Sequence, residues 1–133
     1  MKFIYAIQYS WFWARAVRHA SLGDYSNSLF FLLKIENKRY FLDGEFFLMK
    51  SFVLFALADD HACMENINYA REKILNSSRL GLDTKNYLID YANSLESVVR
   101  KSIGLASAEP PKIIYNIANV PSHVLSKFPI PKD

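Results

Sequence analysis

Apolar residues recur at helical spacing along most of the chain, and one stretch breaks that rhythm by being apolar throughout. Residues 46–58 read FFLMKSFVLFALA, with Lys50 as the only charge. A helix apolar on every side belongs in a core rather than on a surface. Thirteen residues are also too few to cross a bilayer, which takes about 20. The pattern predicts the central helix of a small all-α domain.

The flanking segments predict four more helices. Over residues 3–22, Ile4, Ile7, Trp11, Ala14 and Val17 share one face. Gly23 ends that helix, and Asp24 is placed to cap the next, over 25–36, which carries Leu29, Phe30, Leu32 and Leu33. Tyr40-Phe41-Leu42 either extends the second helix or begins the third, and Asp43-Gly44 reads as a turn. Asp59 or Asp60 caps a helix over 62–76 with Met64, Ile67, Ala70, Ile74 and Leu75 on its face. Asp83 or Thr84 caps a fifth, over 85–103, with Leu88, Tyr91, Leu95, Val98 and Val99. The four glycines fall where the periodicity stops.

All five prolines lie after residue 109, so the chain divides into a helical body, 1–104, and a proline-containing segment, 105–133. Pro111 opens a short helix through Ala118 and Pro121 another through Phe128. Ile113, Ile114, Ile117, Val120, Val124, Leu125 and Phe128 are too apolar for a free tail and are expected to pack on the body; residues 129–133 are expected to fray. The expected architecture is one all-α domain, 1–133: about five main helices in stacked antiparallel hairpins, with a short helical C-terminal segment.

Composition narrows the function classes. Hydrophobic residues make up 51% of the chain, which excludes a disordered protein. The net charge of +3 comes from scattered basic residues, whereas nucleic-acid binders show a denser stripe, so neither nucleic acid nor membrane is the expected partner. Cys63 is the only cysteine, which fits a cytoplasmic protein. Ala14-Arg15-Ala16 has the look of a signal-peptidase site, but Gln8 to Ser10 interrupts the apolar run before it, and an amphipathic first helix is the better reading.

Candidate chemistry is sparse. His19, His61 and His123 have no partner at zinc-like spacing, and His61 and Cys63, two apart, diverge on a helix. Asp59 and Asp60 are explained by capping. There is no glycine-rich phosphate loop and no nucleophile motif, so no catalytic residue, metal or cofactor is expected. Trp11, Phe12 and Trp13 are consecutive, so their rings cannot all enter one core. At least one is exposed or covers a partner, unless the C-terminal segment covers them.

Residues 14–35 resemble one tetratricopeptide unit. Ala16 stands where the paired helices cross, Gly23-Asp24-Tyr25 at the turn, and Ser28, Leu32 and Ile35 on the second helix. A fainter unit follows about 35 residues on, with Phe47, Ser51, Asp59, Cys63, Ile67 and Ala70 at corresponding places and Ala58 in place of the turn glycine. The family's terminal proline is absent from both. The resemblance implies stacked helix hairpins used to bind other proteins. The Gly-Asp-Tyr opening is also similar to that of the HEPN group of small helical RNases, but Arg15 and His19 are four apart, and no Arg precedes a His at the spacing that catalysis there needs. In its Asn, Lys, Ile, Phe and Tyr content the chain resembles bacterial immunity proteins. That likeness implies a non-catalytic module that binds a cognate toxin domain of contact-dependent growth inhibition type; the competing class is an RNA-associated protein or degenerate HEPN-like nuclease. The rings and cations without other chemistry define the expected partner-binding set: Trp11, Trp13, Arg15, Arg18, Lys38, Arg39 and Tyr40.

Overall fold

Two tight turns, 35 residues apart, set the architecture. In the first, Gly23 takes a positive φ of 79°, and Asp24 follows with its carboxylate accepting the Asn27 backbone N–H. In the second, Ala58 takes the same left-handed conformation, φ 64°, and the Asp59 carboxylate accepts from the Ala62 N–H. A left-handed residue followed by an N-capping aspartate ends one helix and starts the next within three residues. Alanine does this at a steric cost that glycine avoids.

A computed structural model describes residues 2–38, 42–104 and 120–128, and among them every regular element is a helix. The helices are α1 Lys2–Ser21, α2 Tyr25–Asn37, α3 Gly44–Ala56, α4 Asp60–Leu75, α5 Leu82–Ser102 and the short α6 Ser122–Lys127. The strongest packing is α1 on α2 and α3 on α4; α5 then packs on α4, and α2 on α3. The fold is all-α. It consists of two antiparallel hairpins, a fifth helix laid against the second of them, and a short C-terminal helix.

The hairpins are built alike. Ala16 and Ser28 are buried where α1 crosses α2, and the Ser28 hydroxyl donates to the Ala16 carbonyl at 2.7 Å. At the same places in the second hairpin stand Ser51 and Cys63, also fully buried. Leu32 and Ile35 on α2 correspond to Ile67 and Ala70 on α4, and all four are inaccessible. Helix α3 is central: it touches α2, α4 and α5, and Gly44, Phe46, Leu48, Met49, Ser51, Val53 and Leu54 are buried along it.

The elements depart from the sequence reading at several points. Helix α3 starts two residues earlier than expected because Asp43 caps it, accepting the Phe46 N–H at 2.8 Å, and it ends before the left-handed Ala58. Gly44 is therefore not a turn residue. It opens α3 where α4 presses closest, and a Cβ there would lie 2.4 Å from Ile74 Cγ1. Helix α5 begins at Leu82 with Gly81 at the cap position, so Asp83 and Thr84 lie inside the first turn and neither is the cap. Of the expected face of α1, Val17 packs on the core, but Ile4, Ile7, Trp11 and Ala14 are exposed, and Tyr9, Phe12, Trp13, Ala16 and Ala20 pack inward in their place. Phe30, Leu33, Leu75 and Val98 are likewise exposed on the flanks of α2, α4 and α5. These helices carry apolar residues around most of their circumference, so periodicity alone cannot say which stripe meets a neighbour.

The C-terminal segment packs where it is described. Val120, Val124 and Phe128 are buried, and the Tyr87 hydroxyl of α5 donates to the Phe128 carbonyl. Pro121 takes the cap position of α6 rather than its first turn. The expected helix through Ala118, the assignment of Tyr40 and Phe41, and the last five residues lie outside the described residues.

Candidate docking surface on the first hairpin

Successive residues of an α-helix point about 100° apart. Trp11, Phe12 and Trp13 therefore serve three surfaces. Phe12 faces α2, its ring 6.3 Å from that of Phe31. Trp13 faces α3 and the C-terminal segment: its ring lies 6.5 Å from Phe46 and 6.4 Å from Tyr9, with the Lys127 ammonium 5.0 Å from its centroid. Trp11 lies at the outer edge of the α1–α2 contact, its ring 5.4 Å from Phe12, and is 50% exposed, beside Ile4 at 55% and Ile7 at 54%.

Each exposed ring on this flank carries a cation one turn on. The Arg15 guanidinium sits 4.9 Å from the Trp11 centroid, and the Lys34 ammonium sits 5.1 Å from that of Phe30. Spacing of i and i+4 brings each pair together on its helix face, and the ring quadrupole favours the charge. Phe31 joins the two pairs, edge-on to Trp11 at 5.9 Å and to Phe30 at 5.3 Å. The His19 ring stacks on the same Phe31 at 5.5 Å.

Charge is concentrated here. Residues 2–38 contain Lys2, Arg15, Arg18, Lys34 and Lys38 against Asp24 and Glu36, five cations less two anions, which equals the whole chain's +3. Both anions are engaged. Asp24 accepts from the Asn27 side-chain amide at 2.6 Å and contacts His19 at 3.3 Å, and the Asn27 hydrogen bond, with smaller help from His19, holds its carboxyl below the usual range. Glu36 pairs with Lys50 of α3 at 2.6 Å. Arg15, Arg18, Lys34 and Lys38 are exposed and form no ion pair among the described residues.

The expected partner-binding set is thus divided. Trp11, Arg15 and Arg18 share the exposed side of α1, and Lys38 ends α2. Trp13 belongs to a different surface, under Lys127. Arg39 and Tyr40 lie outside the described residues. Phe30, Leu33 and Lys34 join the flank although the expected partner-binding set did not include them; the signal was the Phe30–Lys34 pair, which repeats the Trp11–Arg15 spacing.

A second concave region lies at the start of α3. Asp43, Glu45, Lys73, Ser77, Arg79 and Leu80 line a cavity of about 490 Å³, with Arg79 and Asp43 3.5 Å apart. Burial, and then the neighbouring Asp43, push the Glu45 carboxyl up, although Lys127 lies 4.0 Å away. Burial and the same two carboxylates push the Tyr9 phenol up. The Cys63 thiol is far from this region in the α3–α4 contact, pushed up to about 12 mainly by burial, so its nucleophilic thiolate form is suppressed. Among the described residues no group of three His, Cys, Asp or Glu is placed to hold a metal ion, and no helix is long and apolar enough to cross a membrane. Comparison with protein-family models, curated proteins and solved structures returned no match.

Proposed function

We propose that this chain is a non-catalytic protein-binding module whose partner carries an acidic surface, met by the outer flank of α1 and α2. One observation carries the reading: cations that form no ion pair among the described residues are stacked on exposed rings, on the hairpin whose net charge equals that of the whole chain. Rings and arginines are the residue types that dominate the energy of protein interfaces, and exposed apolar surface rimmed by polar groups marks such sites. The finer reading is a cytoplasmic bacterial immunity protein that neutralises a cognate toxin domain of contact-dependent growth inhibition type. It rests on composition and on the absence of a recognised catalytic constellation in the sequence.

The test is co-expression with the toxin domain encoded beside this chain's own gene. On the immunity reading the chain restores growth and co-purifies with the domain, and Trp11→Ala with Arg15→Glu removes both effects while the chain stays folded. Interleaved rings and cations also suit single-stranded RNA, where bases stack on aromatic side chains. Recovery of RNA in place of protein, with affinity falling steeply as salt rises, replaces the protein-binding reading.

A further inference from the structure

The outer flank of the first hairpin has a counterpart inside the molecule. Moving 35 residues along superposes the two turns, so Trp11 corresponds to Phe46 and Arg15 to Lys50. Phe46 and Lys50 are the residues with which α3 seats itself on the first hairpin. The Phe46 ring, fully buried, meets Trp13 at 6.5 Å, and the Lys50 ammonium meets the Glu36 carboxylate at 2.6 Å. Trp11 and Arg15 repeat that ring and that cation at the end of the row, exposed and, among the described residues, covered by no hairpin. A terminal unit of a stacked array is ordinarily closed by a polar outer face. Here the end keeps the chemistry of an inner joint.

We propose that this flank is a stacking face: it seats itself on a helical hairpin of an acidic partner as α3 is seated on α1 and α2, with an apolar side chain of the partner against Trp11 and a carboxylate against Arg15. The inference rests on the protein-binding reading and adds the shape and chemistry of the partner. Charge selects the occupant. A second copy placed back to back would oppose Arg15, Arg18, Lys34 and Lys38 to the same four cations, and like charges brought together oppose association. The residue of the second hairpin that corresponds to Glu36 is Arg71, already held by Glu96 at 2.8 Å, so this chain offers no second carboxylate at that place.

The experiment lengthens the row. Residues 1–43 are joined to residues 9–133, which repeats 9–43 and sets the second copy's Trp11 and Arg15 behind the first copy's Trp13 and Glu36. The added hairpin is expected to unfold with the body in one transition, with its amides protected from exchange to the body's level. Changing the second copy's Arg15→Glu is expected to release the added hairpin as a separate, earlier transition, and the first copy's Glu36→Lys to restore the single one. An added hairpin that exchanges freely, or a stack indifferent to both charge changes, overturns the inference. If the lengthened chain stacks while the parent's capture of an acidic protein is unaffected by Trp11→Ala and Arg15→Glu, the stacking face stands and the functional reading falls. If that capture depends on both residues while the lengthened chain does not stack, the inference alone falls.

Discussion

Hairpins α1–α2 and α3–α4 turn on the same backbone geometry, yet among the described residues one is covered on both flanks and the other on only one. The second hairpin lies between the first and α5, and seven of the thirteen residues of α3 are buried. In α2 the buried residues are Ser28, Leu32 and Ile35 alone. Position in the row makes much of the difference, since Trp11, Trp13 and Ala14 correspond to the buried Phe46, Leu48 and Met49, although Arg18 and His19 stand where α3 has Val53 and Leu54. An apolar side chain in this fold is therefore worth what its neighbours make of it, and paired substitutions in the two hairpins measure that.

The largest contrast is expected between Ile67 and Ile7. Ile67→Ala empties a fully buried site and should cost about 2–5 kcal/mol in denaturant unfolding. Ile7→Ala, on the exposed flank of α1, should stay within about 0.5 kcal/mol. Equal losses would show that the flank is covered in solution. Next comes Gly44→Ala, which forces a methyl group against the Ile74 backbone and side chain and should cost about 1–3 kcal/mol by prising α3 from α4. Its counterpart in the first hairpin is Tyr9, so the two hairpins do not approach equally closely at this end.

The sequence made the five main helices legible, with Asp24 as one cap and Asp59 as one of two candidates for another, because those depend on local spacing. Asp24 and Asp59 each accept the N–H three residues on, as their positions implied. It could not choose the buried stripe of α1, since Ile4-Ile7-Trp11 and Tyr9-Phe12-Ala16 are both apolar rows and only the neighbouring helices distinguish them. Gly44 was misread for the same reason: its lack of a side chain answers Ile74, which is distant in sequence. Within the candidate surface, Trp11 and Arg15 were visible as a ring and a cation. The separation of Trp13 from them needed Lys127, near the other end of the chain.

The two turns provide a finer comparison. Ala58→Gly removes left-handed strain and should stabilise the second hairpin by about 0.5–1 kcal/mol, whereas Gly23→Ala should cost the first about 1 kcal/mol, both read from thermal or denaturant midpoints. Opposite signs from matched changes would confirm that one geometry serves both turns.

The smallest effect concerns the ion pairs that join neighbours. Glu96 accepts from Arg71 at 2.8 Å and from Arg100 at 3.2 Å, and these hydrogen bonds, Arg71's foremost, hold its carboxyl below the usual range. A carboxylate with a folded pKa below its unfolded one adds stability above the unfolded value and loses it as pH falls through the folded value. Glu96→Gln should therefore flatten the acid limb of the stability profile by less than about 1 kcal/mol, as a partly exposed pair allows, and leave stability at low pH unchanged.

The seat of the C-terminal segment bears on how the molecule comes apart. A row of helices that touch only their neighbours can fray from either end, one hairpin at a time. Residues 120–128 prevent this by reaching both ends at once: Lys127 lies over Trp13 of α1, and Phe128 meets Tyr91 of α5 with rings 5.3 Å apart. The contact couples the earliest and latest parts of the chain, so it should form late in folding. Once formed, it ties the first hairpin's unfolding to that of α5.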